Sequence, residues 1–415
     1  MNNTIKLAVA SALLAAASSA NAGIMIPAGD WTLDIGGVVN MYYTSTRHTG
    51  DAGGLTAGAN NNGAKTKSNI TTGLLPNYLS VSGKTRENDL DVGFTISINP
   101  GSATTSALSG GGSSEHRQQF ITVGDASWGS IKLGKDLGIF ASDAILNDMT
   151  LLGVGSGAGT LNGTTTLGRI GTGYVYADWK NQIAYTSPNW NGFSFTAGVS
   201  QGWNASGDAL LGGASSTQAG GAAPAFEGKA SYAWAGDFAG KVWVSGISQK
   251  LKGITNGSAA TFASAAVANT ATTTSERGEA VDFGGTVSVA GFGLTGYYFT
   301  GSGIGQQAQF VGGLDAAGQT RDSDGGYVQA TYTLPGVGTK LGASWGVSNL
   351  DSNAADAKGN VSNEMWTIGA YHPLTKHLNL VAEYSDAKDE QDAKGANAAT
   401  SGKSKTVSLG AILFF

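Results

Sequence analysis

Residues Leu90 to Asn99 read L-D-V-G-F-T-I-S-I-N. Leu90, Val92, Phe94, Ile96 and Ile98 alternate with Asp91, Gly93, Thr95, Ser97 and Asn99. Successive side chains of an extended chain point to opposite faces, so this stretch is a ribbon with one apolar and one polar side. The same pattern recurs at both ends of the chain. Leu33, Ile35, Gly37, Val39, Met41 and Tyr43 oppose Thr32, Asp34, Gly36, Asn40 and Thr44. Val407, Leu409, Ala411, Leu413 and Phe415 oppose Thr406, Ser408 and Gly410.

Followed along the chain, the alternation predicts sixteen strands. They lie near 31–46, 77–87, 90–99, 117–126, 130–135, 172–187, 193–201, 226–235, 240–250, 279–289, 292–300, 325–334, 340–348, 363–372, 377–385 and 404–415. The connections are short and long in strict turn. Asn88-Asp89, Ser127 to Gly129, Pro188 to Gly192, Gly236 to Ala239, Ala290-Gly291, Pro335 to Thr339 and Pro373 to Lys376 are short. Residues 47–76, 100–116, 136–171, 202–225, 251–278, 301–324, 349–362 and 386–403 are long. A soluble sandwich has no reason to put every long loop on one side; an up-and-down barrel in an outer membrane does. The seven prolines all fall in these loops and turns or at strand edges, where no ladder donor is lost.

Composition agrees. Glycine supplies 65 of 415 residues and charged residues only 13%, against usual shares of about 7% and about 25%. The absence of cysteine excludes disulfide frameworks, thiol nucleophiles and zinc ribbons. A net charge of −5 argues against nucleic-acid binding. Lys6, the apolar run Leu7 to Ala17 and the small-x-small site Ala20-Asn21-Ala22 read as a secretory signal over residues 1–22. Residues 23–415 then form one domain, with no stretch approaching the about 18 apolar residues of a membrane helix.

The polar faces suit a watery interior and the apolar faces suit lipid. Only a closed barrel satisfies every backbone group in such a setting. Trp31, Trp128, Trp190, Phe193, Phe238 and Phe292 gather at the first strand's start and at short turns, where an interfacial girdle belongs. The reading is therefore all-β: a 16-stranded antiparallel transmembrane up-and-down β-barrel, multi-pass in a bacterial outer membrane.

Three stretches carry a resemblance. R-Q-Q-F-I-T-V-G-D-A-S-W-G-S-I-K-L-G-K-D-L-G (Arg117 to Gly138), W-K-N-Q-I-A-Y-T-S-P-N-W-N-G-F-S-F (Trp179 to Phe195) and I-G-A-Y-H-P-L-T-K-H-L-N-L-V-A-E-Y (Ile368 to Tyr384) are similar to motifs of the general trimeric porins of Gram-negative bacteria. With the signal and the terminal Phe415, the resemblance spans essentially the whole mature chain. It implies a homotrimer in contact with outer-membrane lipid and lipopolysaccharide, inserted by the β-barrel assembly machinery through Phe415. It implies a passive path for ions and small hydrophilic solutes, with no cofactor. It also implies that the longest connection, 136–171, folds inward as a constriction loop, although the family's Pro-Glu-Phe-Gly-Gly segment is absent from it.

By the same resemblance the pore constriction takes Asp143 and Asp148 from the loop, beside Asp136. The basic wall takes Lys135, Arg169 and Lys180, with Lys132 and Arg117 as further candidates and Lys84 and Arg86 near a turn. Parity supports Lys180, since Trp179, Ile183 and Tyr185 take the outward face. Parity opposes Lys135, which shares a face with Ile131 and Leu133. A lysine at mid-bilayer costs ~2–4 kcal/mol, so a bend at the strand's end is expected to turn Lys135 inward.

Other chemistry finds little support. Gly155-x-Gly157-x-Gly159 and Gly301-x-Gly303-x-Gly305 open no helix after a buried strand, so neither is a dinucleotide fingerprint. Asp322-x-Asp324-Gly325 lacks the closing glutamate of a calcium loop. His48, His116, His372 and His377 show no HExxH or triad spacing. The competing functions are a general diffusion channel, a substrate-selective channel on the same barrel, an outer-membrane lipase and a surface adhesin acting through its loops.

Overall fold

The computed structural model describes residues 23–51, 65–104, 112–156, 164–202, 223–252, 255–256, 270–271, 275–315 and 318–415. The stretch 1–22, expected to be a signal, lies outside them. Sixteen long strands form one antiparallel wall: β1 (Trp31–Gly50), β2 (Tyr78–Glu87), β3 (Leu90–Thr104), β4 (Gln119–Asp125), β5 (Gly129–Leu137), β6 (Trp179–Thr186), β7 (Phe193–Ser200), β8 (Ala225–Trp234), β9 (Phe238–Lys252), β10 (Ser275–Val289), β11 (Phe292–Ser302), β12 (Asp322–Thr333), β13 (Lys340–Leu350), β14 (Val361–Pro373), β15 (Leu378–Gln391) and β16 (Thr400–Phe414). Each pairs with its chain neighbours. β16 returns to β1, from Val38↔Phe414 to Gly50↔Gly402, and closes the barrel.

Local chemistry sets the turns. Asn88 and Asp89 both adopt positive φ (49° and 62°), as do Ala290 and Gly291 (48° and 84°). Two left-handed residues give the turn whose twist matches a two-residue hairpin. Trp190 stacks on Phe193 at 6.1 Å, Trp234 on Phe238 at 6.3 Å and Phe292 on Tyr332 at 4.2 Å, an aromatic band at the short-turn end.

The wall is more interrupted than the alternation predicts. β1 pairs with β2 along Thr32–Val38 and with a separate strand, Thr66–Thr71, along Tyr42–Arg47. β3 likewise pairs with β4 and with the piece Gly112–Glu115. Both pieces lie in stretches that the sequence assigns to long loops. Pro100 corrects the proline argument: it lies within β3, where the ladder shifts register before Thr104. That irregularity is where a residue with no N–H can be tolerated. On the seam side of β1, Ile24–Ala28 pairs with Trp31–Ile35 below the end of β16. Phe415 exchanges both main-chain hydrogen bonds with Gly37, at 2.8 and 3.1 Å.

Burial is inverted relative to a soluble protein. Val39, Ile98, Ile183, Phe283, Leu294, Val328, Ile368 and Leu409 are exposed on the outside, whereas Asn40, Thr46, Ser245, Asp282, Ser348, Thr367 and Ser385 are buried inside. Each large apolar side chain left in water forgoes about 1.5–3 kcal/mol. A continuous belt of them is stable only against lipid, which makes the chain an integral, multi-pass β-barrel of the outer membrane.

The inner face is not uniformly polar. Trp243, Ile247, Tyr297, Phe299, Tyr327 and Met365 project inward and form one apolar cluster with Phe140, Ala144, Ile145, Ile304, Phe310 and Val311 from two connections. The packed core of this protein therefore lies inside its barrel.

Candidate functional site in the barrel interior

The first of these connections leaves β5 at Gly138 and rejoins the wall at Asp178. Ala141 adopts a left-handed conformation (φ 61°) and opens the short helix α1 (Ser142–Asn147). Asp148 then caps a 3-10 turn over Met149–Leu152, accepting the Thr150 N–H at 2.9 Å.

The wall holds this segment mainly by accepting its backbone N–H groups. Glu227 on β8 accepts from Ile139 and Phe140, both at 2.9 Å. Asp282 on β10 accepts from Ala141 at 3.1 Å. Gln329 on β12 accepts from Met149 at 2.7 Å, and Ser348 on β13 from Gly173 at 2.9 Å. Glu383 on β15 accepts from Val154 at 2.7 Å, from Gly155 at 3.0 Å and from the Tyr371 hydroxyl at 2.6 Å. Tyr42 and Tyr327 donate to the carbonyls of Leu152 and Ala144, each at 2.8 Å. A carboxylate accepting several N–H groups holds an irregular backbone in place, because each buried N–H without an acceptor costs about 1–3 kcal/mol.

A second segment between β11 and β12, described over residues 303–315 and 318–321, also folds inward. Ile304, Ala308, Phe310, Val311 and Leu314 are buried. Gly305 (φ 83°) makes the turn that allows it; a Cβ there would sit 2.3 Å from the Val311 carbonyl oxygen. Gln309 joins the two segments: it donates to the Ala177 carbonyl at 3.2 Å and accepts from Lys180 at 2.5 Å. The Tyr176 N–H donates to the Gln307 carbonyl at 2.8 Å. The Arg321 guanidinium donates to the Gly312 and Leu314 carbonyls and pairs with Asp356, tying the second segment to the loop after β13.

The sequence-selected residues take these positions. Lys180 pairs with Glu227 at 2.7 Å. Arg169 is wholly buried, donating to the carbonyls of Met365 at 2.9 Å and Thr172 at 3.3 Å, bonded to Ser344 and lying 5.9 Å from the Tyr327 ring centre. Asp148 turns into its own segment, accepting from the Thr150 and Tyr174 hydroxyls at 2.7 and 2.9 Å. Lys132 pairs with Asp136 along β5. Arg117 pairs with Glu115 at 2.7 Å and stacks over Trp179. Lys135 does not bend inward: its ladder continues through Lys135↔Asn181 to Leu137↔Trp179 without a break. Its neighbours across the strands, Gln119 and Asn181, are polar and exposed, so the charge sits above the apolar belt rather than within it.

Asp136 meets the selected Lys132 on its own strand, whereas Asp143 meets wall bases that the sequence reading passed over: Lys229 on β8, at 2.9 Å, and Lys241 on β9. Burial opposes its charge, but the two ammonium groups outweigh burial and hold the carboxyl below the ordinary carboxylate range. The anchors Glu227, Asp282, Glu383 and Gln329 were missed too. Their only signal is an acid or amide at an inward position of a strand. Among the described residues, no cluster of three or more His, Asp or Glu suits a metal ion.

The family profile described as Gram-negative porin matches residues 8–392. No curated protein sequence matches significantly. Among solved structures, the anion-selective porin from Comamonas acidovorans aligns at TM-score 0.61 and 14% identity over 93% of this chain and 100% of its own. The outer membrane channel DcaP of Acinetobacter baumannii aligns at 0.64 and 17% over 95% and 100%. OmpF of Salmonella typhi, in complex with daunomycin, aligns at 0.56 and 15% over 94% and 100%. At these identities the structural likeness speaks for the fold.

Proposed function

The chain belongs to the Gram-negative porin family, and from that premise, with a porin-like channel as its general function, we propose that it is a substrate-selective channel rather than an open general-diffusion pore. The observation that carries the reading is the second inward segment. One inserted connection narrows a barrel. Two, joined through Gln309 and packed on an apolar inner wall, leave a smaller and more rigid path. Passage through such a path is sorted by radius and by the groups that line it. The comparison with an anion-selective porin favours the same direction, while the comparison with OmpF keeps general diffusion as the second reading.

Single-channel recording in planar bilayers tests it. The selective reading expects small conductance steps, current that saturates with solute, and block by a preferred solute. Removing residues 306–313 is expected to raise conductance about twofold or more. Large ohmic steps that ignore every added solute would instead establish general diffusion. We also propose a homotrimeric assembly, with Phe415 as the feature read during insertion.

A further inference from the structure

On the inner wall beside α1, hydrogen-bond donors outnumber acceptors. Lys229 and Lys241 converge on one carboxylate, Asp143. Each ammonium carries three N–H donors. Lys229 donates to the Ser142 hydroxyl at 3.0 Å and lies in ion-pair contact with Asp143 at 2.9 Å, and Lys241 donates to Asp143. Ser142 already donates to the Ile139 carbonyl at 2.8 Å. Next to them stands Trp243, whose ring centre lies 5.8 Å from the Lys241 ammonium. Its indole N–H is buried and has no acceptor among the described residues. A buried indole N–H ordinarily finds an acceptor.

The layering of charge points the same way. The side chains of Lys229 and Lys241 are 19% and 24% exposed, and that of Asp143 5%. Lys132 and Asp136 repeat the arrangement at 20% and 6%. In both clusters the carboxylate lies behind and the ammonium faces the water. Several other acids of the wall are already engaged. Glu227, Asp282 and Glu383 are buried beneath the inserted segment and accept from its backbone. Asp91 and Asp125 hold the Arg86 guanidinium between them, and Asp34 stands diagonal to Lys84 across the β1–β2 ladder.

Resting on the channel reading above, we propose that Lys229, Lys241 and the Trp243 indole form an anion station in the lumen. It takes small inorganic or carboxylate anions from the water-filled side and makes the path anion-preferring. Lysines focused in a low-dielectric passage raise the local concentration of anions and lower that of cations.

The test is a reversal potential measured on the purified, folded full-length protein in planar bilayers under a KCl gradient, with and without inorganic phosphate. Chloride is expected to carry most of the current. In K229Q/K241Q the chloride-to-potassium permeability ratio is expected to fall by about two- to fivefold. Phosphate is expected to reduce the chloride current of the wild type and to lose that effect in the variant. K229R/K241R, which keeps the charges, is expected to retain chloride preference, and heat-modifiable mobility shows that each variant is folded. Potassium preference in the wild type, or an unmoved reversal potential in folded K229Q/K241Q, would overturn this proposal while leaving a channel in place. A folded, inserted barrel that passes no current would overturn the channel reading, and this one with it.

Discussion

Lys180 and Glu227 meet at 2.7 Å on the inner wall, and each side chain is only 1% exposed. The Glu227 carboxylate also accepts the Ile139 and Phe140 N–H groups and the Ser200 hydroxyl. One ion pair thus fixes both ends of the first inserted segment, its exit from β5 and its return at β6. Removing one partner of a buried pair leaves an uncompensated charge and costs about 3–5 kcal/mol. Glu227→Ala and Lys180→Ala are each expected to lower the melting temperature of the folded barrel and to make the channel current noisy. The double variant is expected to lose less than the sum of the two, which a thermodynamic cycle measures.

Glu383 holds the far limb of the same segment. Glu383→Ala strands the Val154 and Gly155 N–H groups and the Tyr371 hydroxyl, at about 1–3 kcal/mol for each group left unsatisfied. Gly153→Ala attacks the contact from the other side, since its Cβ would lie 2.0 Å from a Glu383 carboxylate oxygen. Both variants are expected to raise single-channel conductance and to expose residues 149–156 to protease. Unaltered conductance in both would show that this limb does not border the path.

Arg321 is buried and secures the second segment with two kinds of partner, two carbonyls and one carboxylate. Arg321→Lys keeps the charge but loses the planar fork of donors. It is expected to release residues 303–321 nearly as fully as Arg321→Ala. Conductance and hydrogen exchange over that stretch read the release. A lysine variant indistinguishable from the wild type would mean that charge alone suffices.

Acidification has a definite sign at Asp143. Its carboxyl is held below the ordinary range in the folded protein, where burial is outweighed by Lys229 and Lys241. The stabilising contribution is complete above the unfolded value of about 3.9 and is lost as the pH falls through the lowered folded value. Attachment of α1 to the wall is therefore expected to survive mild acid and to fail only in strong acid. Current noise titrated against pH should show one such transition in the wild type and lose it in Asp143→Asn.

The wall was legible because lipid outside and water inside impose a two-residue period, and Leu90 to Asn99 displays it without exception. The turn at Asn88-Asp89 was legible because few residue pairs tolerate two left-handed conformations. The contents of the barrel were less so. Around Tyr297-Tyr298-Phe299, inward and outward residues are both aromatic, and alternation cannot register a face that is apolar on both sides. Residues 301–324 are rich in Gly, Gln and Ala and read as a long loop; the burial of Ile304, Ala308, Phe310, Val311 and Leu314 comes from a wall assembled far away in sequence. The search for loop acids opposite wall bases selected Lys180, whose partner is the wall acid Glu227 and not a loop acid. Glu227, Asp282 and Glu383 bind backbone N–H groups, which every residue but proline carries, so no spacing of side chains announces them.

The seam between β1 and β16 differs in kind from every other ladder in the wall. Elsewhere a strand joins the one just before or after it in the chain. At the seam, Thr46 bonds Thr406 across 360 residues, and the entropy of so large a ring must be met before any of its bonds form. Until then two strands present open edges in a setting where an open edge is least tolerable. Because Ile24–Ala28 and Phe415 both dock against β1, closure needs the first and the last residues of the wall at the same time. The zipping of its two ends is thus the step expected to be slow in making this protein. A cut placed in any long loop, with the ends joined near Gly37, would convert that event into an ordinary hairpin and move the slow step to wherever the cut was made.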